Sequence, residues 1–305
     1  MWDAATMATR IITNAVNPVH VRDAALETLY CAQAGALYLA GASDALTQAL
    51  SHPRKHSPEY SGRAFPILLL HGLAHNQSWG VRMEQALEEA GFLCRSVNYR
   101  TIGADITDAA TQVSTLVTDT AARHNTDKVH VVSHSLGGLV LRQALTSHPH
   151  IAPVVYSATT IGTPHHGTPW ISPWMSHAPL LGRICHQIQP GSDYLHTLDT
   201  STTADGVRWV CIWSPDDEVV PGHYGQLTHP HLDITDICLP GVGHAGLMYD
   251  HRAVDTVVTQ AIRSDDNAME DIVNRWAHAH STTRTSRDIT LTPTTHHTTD
   301  ARAHA

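Results

Sequence analysis

The sequence predicts an α/β protein, a three-layer α/β/α sandwich around a mainly parallel sheet of about six strands. Two observations carry that expectation. Short apolar runs rich in Val and Ile alternate with stretches of helical periodicity, as in repeated βαβ units. Several of those runs are apolar on successive residues rather than on every second one, as befits strands covered on both faces.

The elements follow in order. Residues 1–58 read as a largely helical N-terminal extension, and "SHPRKHSPEYSGR" (51–63) reads as a polar linker with prolines and a glycine. The first strand is "FPILLLHG" (65–72). "SWGVRMEQALEEAG" then predicts a helix with Ser78 as its N-cap and Gly91 as its stop. The second strand is "CRSVNY" (94–99), and the helix after it places Ile106, Ala110, Val113, Leu116 and Val117 at helical spacing. "VHVVSHS" (129–135) and "VVYSATTIG" (154–162) are strands flanking a helix over 136–147.

Residues 163–206 are far longer than an ordinary connection. They read as a lid-like insertion with Trp170, Trp174, Met175, Leu180 and Leu181 among prolines and glycines. "VRWVCIWS" (207–214) and "LDITDICLPG" (232–241) complete the strands, and a helix is expected over 246–263. The catalytic domain would span 59–280. The Thr/His-rich tail, 281–305, has almost no apolar content and is expected to be disordered.

Composition narrows the partners. The chain has 305 residues, 42% of them apolar, and a net charge of −9 with neutral histidines. An acidic balance with no basic run argues against nucleic acid. Cys31, Cys94, Cys185, Cys211 and Cys238 are scattered and form no CxxC pair, so neither a disulfide framework nor a thiolate zinc site is expected. Cys211 reads as a small buried hydrophobe. Asp3 comes early and no apolar run flanks Arg10, unlike a signal peptide. Residues 28–43 are uncharged but short and Ala/Gly-rich. They suit a docking helix better than a span. A cytoplasmic or membrane-associated location, with peripheral contact at a lipid interface, is the expectation.

"VVSHSLGGLV" (131–140) carries the chemistry. Ser135 stands at the carboxyl end of the third strand, where ligands of open α/β sheets bind. The helix that follows opens with Leu136 and two glycines. A serine on such a sharp turn exposes its Oγ beside the N–H groups of a helix N-terminus, which favour developing negative charge. Ser133 occupies the position where a glycine is usual, two residues before the nucleophile. It adds one heavy atom beyond alanine. A serine needs a base and the base an orienter. His244, in the glycine-flanked "LPGVGHAGL", follows the last strand. Asp216, Asp217 and Glu218 follow the fifth. "LLLHGLAHNQSW" (68–79) follows the first and can offer the Leu73 amide.

These loops together resemble bacterial lipases and esterases of the α/β-hydrolase superfamily. The matching residues are His71-Gly72-Leu73 with His75-Asn76 and Trp79, "SHSLGG" (133–138), "GTPHHGT" (162–168), "SPDDEVVP" (214–221) and "GHAGL" (243–247), and the resemblance covers about residues 64–263. It implies the α/β-hydrolase fold and a serine-esterase mechanism. Ser135, Asp217 and His244 would hold the triad positions, and the Leu73 and Leu136 amides would donate to the oxyanion. Asp217 fits the pattern Ser-x-x-Asp-x-x-Val-Pro, with Asp216 and Glu218 as the other carboxylates in reach. Trp79, Trp170, Trp174 and Met175 are the candidates for an acyl-binding wall. The substrate would be a small acyl ester or a lipid. A thioesterase, an acyltransferase with the same triad, or a non-catalytic binding module are the alternatives. No cofactor is required. His165-His166 and His229-Pro-His231 with Asp233 match no recognised metal spacing, so no metal is expected.

Overall fold

The structure is a computed structural model. It describes residues 62–284 apart from 172–176, 178, 179, 202, 203 and 205. The N-terminal extension, most of the tail, Trp174 and Met175 lie outside the described residues. The chain divides into two units, Met1–Asp266 and Asn267–Ala305. In the second, the described residues continue the last helix as far as Arg284.

Six strands form one sheet: β1 (Ile67–Leu70), β2 (Cys94–Val97), β3 (Val129–His134), β4 (Val155–Ile161), β5 (Arg208–Trp213) and β6 (Asp233–Cys238). Their order is β2-β1-β3-β4-β5-β6, and every neighbouring pair is parallel. Parallel neighbours need crossovers. Those in the described chain are α1 (Val81–Glu89), α2 (Ile106–Arg123), α3 (Leu136–Ser147), and α4 (Gly182–Gln187) with α5 (Asp193–Asp199). After β6 come α6 (Gly246–Tyr249) and α7 (His251–Arg284).

Alternation along the strands feeds two cores. Leu68 and Leu70 of β1 join Val129 and Val131 of β3 against α2 and α3, through Val113, Val117, Leu139 and Leu141. Ile67 and Leu69, with Val132, face the other side against Met83 and Leu87 of α1 and Ala253 and Val257 of α7. β1, β3 and β4 are buried along their whole length. That is why their sequences place apolar or small residues at successive positions instead of alternating apolar with charged ones. β6, at the sheet edge, is exposed or half-buried at every position.

The helix ends differ from the expectation in two places. Ser78 does not cap α1. Asn76 instead accepts from the Ser78 amide at 3.0 Å and caps a 3-10 turn over Gln77–Gly80, and α1 begins after it. The expected helix over 246–263 breaks at Asp250, whose backbone is extended and whose carboxylate accepts from the Arg252 amide at 2.8 Å. The second piece then runs on to Arg284, so residues 281–284 are helical and not tail. α2 conforms to its pattern, with a capping box in which Asp105 and Asp108 each accept from the other's amide.

A buried clamp holds the start of the sheet to α7. Asp265 accepts from the amides of Ala64 and Phe65 at 2.9 and 3.2 Å and lies 3.3 Å from Nε2 of His130. Burial pushes the Asp265 carboxyl up. The hydrogen bonds from His130 and the two amides outweigh that and hold it below the ordinary carboxylate value.

Candidate active site

The carboxyl ends of β1, β3, β5 and β6 meet above the sheet. β3 ends at His134, and Ser135 turns the chain into α3 with φ 54° and ψ −126°. A non-glycine residue held there is strained. The turn is kept by the Ser135 amide on Ile161 O at 2.8 Å and by the Gly138 amide on Ser135 O at 3.1 Å. Small residues are obligatory around it: a Cβ on Gly138 would lie 2.2 Å from Thr163 Oγ1. Ser133 fits where glycine is usual because its hydroxyl donates to Thr159 O of the adjacent strand at 3.0 Å. The extra polar atom is thereby satisfied.

The loop after β5 lowers Asp217 into the protein, 1% exposed, while Asp216 and Glu218 face solvent. Asp217 Oδ1 accepts from the Val219 and Val220 amides at 2.9 and 2.7 Å. Its Oδ2 lies 2.8 Å from Nδ1 of His244. Nε2 of His244 lies 3.0 Å from Ser135 Oγ. Serine, histidine and aspartate thus form one line of hydrogen bonds, each on the loop after a different strand. All three carboxylates of the β5 loop engage the histidine loop: Asp216 accepts from the Gly241 amide at 2.7 Å and Glu218 from the His244 amide at 3.2 Å. Gly162 lies beneath the central pair with φ 55°, and a Cβ there would come within 3.2 Å of Asp217 Oδ2.

The loop after β1 closes the other side. A Cβ on Gly72 would sit 3.0 Å from the Ser135 Cβ. His71 stacks on Tyr99 with ring centroids 4.3 Å apart, and its Nδ1 donates to Gly72 O at 2.9 Å. Tyr99 donates its hydroxyl to His71 O. Among the described residues, neither the Leu73 nor the Leu136 amide is given to a protein acceptor. Burial drives His71 down to about 4, and burial together with the neighbouring His71 does the same to His75. Both are neutral imidazoles near neutral pH.

Residues 63–208 match the family described as serine aminopeptidase, S33. A triacylglycerol lipase from Burkholderia plantarii is 30% identical over 138 residues, which cover 43% of this chain and 37% of that relative. The mature Bacillus licheniformis lipase BlEst2 superposes with a TM-score of 0.55 at 16% identity, over 69% of this chain and 96% of that one. Aspergillus fumigatus lipase B superposes with a TM-score of 0.57 at 21% identity, over 71% and 57%. The chain has the α/β-hydrolase fold.

Of the four side chains expected to form an acyl wall, Trp79 and Trp170 lie among the described residues. Trp79 is 4% exposed. It packs against His75 and Tyr249 with ring centroids 4.0 and 5.2 Å away, and its Nε1 donates to His134 Nδ1 at 3.2 Å. It is core beneath the site and not an open wall. Trp170 is 56% exposed. Trp174 and Met175 lie outside the described residues. Besides Trp170, the exposed large apolar side chains described before residue 267 are Ile102 and Leu180. The Gly103 amide donates to Leu180 O at 2.8 Å, and Thr101 Oγ1 accepts from the Ala74 amide at 3.0 Å. The two apolar residues therefore flank the loop that carries Leu73. The sequence marked Leu180 as an apolar residue of the 163–206 insertion but not its neighbour, because the pairing of 103 with 180 is a long-range contact.

His165 is fully buried between Thr160, 3.0 Å from Nε2, and Arg142, 3.5 Å from Nδ1. Arg142 continues to Asp199 at 2.8 Å. Among the described residues no cluster of His, Cys, Asp and Glu is arranged to hold a metal ion. No helix of the described residues is long and apolar enough to cross a membrane. Cys211 is fully buried, and its thiol donates to Gly225 O.

Proposed function

We propose that the protein hydrolyses carboxylic esters of acyl or lipid type through a serine acyl-enzyme, as a lipase or esterase. The observation that carries the reading is the line of hydrogen bonds from Asp217 through His244 to a strained, half-buried Ser135. A structural serine has no need of an unfavourable backbone and a buried carboxylate–imidazole pair aimed at its hydroxyl.

His244 Nε2 removes the proton from Ser135 Oγ as Oγ attacks the ester carbonyl carbon. Asp217 keeps the other proton on Nδ1 and stabilises the imidazolium. The Leu73 and Leu136 amides donate to the oxyanion, the second with the favourable end of the α3 dipole behind it. The imidazolium returns its proton to the leaving alkoxide. Water, deprotonated by the same Nε2, then cleaves the acyl-enzyme. Every proton is carried by His244, and no cofactor takes part.

The apolar surface of Ile102 and Leu180 beside the Leu73 loop supports an apolar acyl chain and contact with a lipid interface. Each buried methylene contributes about 0.8 kcal/mol. The test is a panel of p-nitrophenyl esters from acetate to laurate, run beside amino-acid p-nitroanilides. Labelling with a fluorophosphonate serves as the count of competent sites. Hydrolysis of esters with kcat/KM rising beyond acetate, and one label per chain lost in Ser135→Ala, is the expected result. Cleavage of the anilides alone, or no label on folded protein, overturns it.

A further inference from the structure

Trp79 lies in the turn before α1 and His134 ends β3, yet together they form a line of hydrogen bonds that ends on the backbone of His244. The indole Nε1 is 3.2 Å from Nδ1 of His134, and Nε2 of His134 is 3.2 Å from the carbonyl oxygen of His244. An indole N–H can only donate and a carbonyl can only accept. The ring between them is therefore fixed in one form, neutral, with its proton on Nε2. A doubly protonated His134 would set one N–H against another.

The His244 loop needs such an anchor. It runs through Gly241-Val242-Gly243, and Gly241 has φ 74°. Two of its other ties, to Asp216 and Glu218, are made by carboxylates in solvent. His134 is 1% exposed, and its ring centroid is 4.8 Å from that of His244. A positive charge there would oppose the imidazolium that forms on His244. Burial and the neighbouring His244 keep His134 well below the ordinary histidine value.

We propose that Trp79 and His134 are positioning residues for the base, the indole locking the His134 tautomer and His134 Nε2–H holding the His244 carbonyl so that its ring stays aimed at Ser135. The proposal rests on the reading of Ser135, His244 and Asp217 as the acyl-transfer site. It also assigns Trp79 a polar task through its N–H, in place of an apolar one at the substrate.

The experiment measures kcat and KM on p-nitrophenyl butyrate, per fluorophosphonate-titrated site, with a melting curve for each protein. His134→Phe fills the space but cannot donate. His134→Asn carries its amide only as far as Nδ1. His134→Gln carries an N–H to the reach of Nε2. Expected is a fall in kcat of about tenfold or more for Phe and Asn, since small misplacements of reacting groups are costly. KM should stay within about twofold and Gln within about threefold of wild type in kcat. Melting temperature should follow the opposite order, with Phe at least as stable as Gln. Trp79→Phe should lower kcat on its own and add nothing in the His134→Phe background, because it acts through His134. Equal kcat for Phe and Gln, or additive losses in the double variant, overturns the proposal. An inactive, unlabelled wild type sinks the esterase reading instead, so the two failures are distinguishable. Should the Phe variant not fold, the Asn and Gln pair carries the same comparison.

Discussion

Asp217 meets Nδ1 of His244 with Oδ2 at 2.8 Å while its Oδ1 accepts from the Val219 and Val220 amides. The division of the two oxygens has a consequence for the amide variant. In Asp217→Asn the oxygen stays with the two backbone donors, so the NH2 group must face His244. That forces Nδ1 to accept and puts the imidazole proton on Nε2, facing Ser135. The base is then in the wrong tautomer, and kcat should fall by about four orders of magnitude. Asp216 only accepts from the Gly241 amide, and an asparagine oxygen can do the same. Asp216→Asn should therefore keep kcat within a few fold. Ester hydrolysis at pH 8, where an ordinary histidine with a pKa of about 6.5 is mostly neutral, compares the two. The reverse ranking would move the orienter by one residue.

Ser135, the proposed nucleophile, carries backbone strain at φ 54°. Ser135→Ala should reduce hydrolysis by at least about three orders of magnitude, leaving only binding and oxyanion effects. Ser135→Gly should be equally inactive but more stable by about 1 kcal/mol, since glycine relieves the positive φ. Urea unfolding of the two variants beside wild type reads the difference. A glycine variant less stable than wild type would mean that the turn is not strained.

Stability should fall as the solution is acidified from pH 6.5 towards 4. Burial holds His71 and His75 at about 4 in the folded protein against 6.5 as the ordinary value. In that window the unfolded chain binds protons that the folded chain refuses. The stabilisation is complete above pH 6.5 and declines as pH drops, by up to about 3 kcal/mol per histidine. His134 and His165, also lowered by burial, act in the same direction. His71→Gln should make the dependence shallower, as judged by urea midpoints at pH 7.5, 6, 5 and 4.5. An unchanged slope would contradict the burial of a neutral His71.

The clamp at the opposite end of the sheet should matter to stability alone. Asp265→Ala orphans the Ala64 and Phe65 amides and one side of His130. It should cost about 3 kcal/mol, as loss of one partner of a buried pair does. Below the midpoint of its own melting curve, kcat should be that of wild type. A loss of kcat in the folded variant would show that α7 transmits to the site.

The sequence by itself determined the fold class and singled out most residues of the proposed site. Strands buried on both faces must be apolar at successive positions, so "FPILLLHG", "VHVVSHS" and "VVYSATTIG" announced a covered parallel sheet before any contact was known. Ser135 and His244, the proposed nucleophile and base, were legible because such groups stand on tight, small-residue loops at strand ends, and those loops leave a local mark. Asp217 could be narrowed only to three adjacent carboxylates by the residues themselves, with the family pattern favouring the middle one. Burial of that middle residue is a tertiary fact, set by how the Val219 and Val220 amides fold back over it. The surroundings of Trp79 were not legible for the same reason. An indole in a loop beside the nucleophile suits an acyl wall or a core equally well, and local sequence does not say which partner its N–H meets. The packing of the turn before α1 against His134 and Tyr249 decided that. Pairings between residues tens of positions apart, such as Gly103 with Leu180 or His134 with His244, depend on which elements become neighbours in space, and only the tertiary structure makes those neighbours.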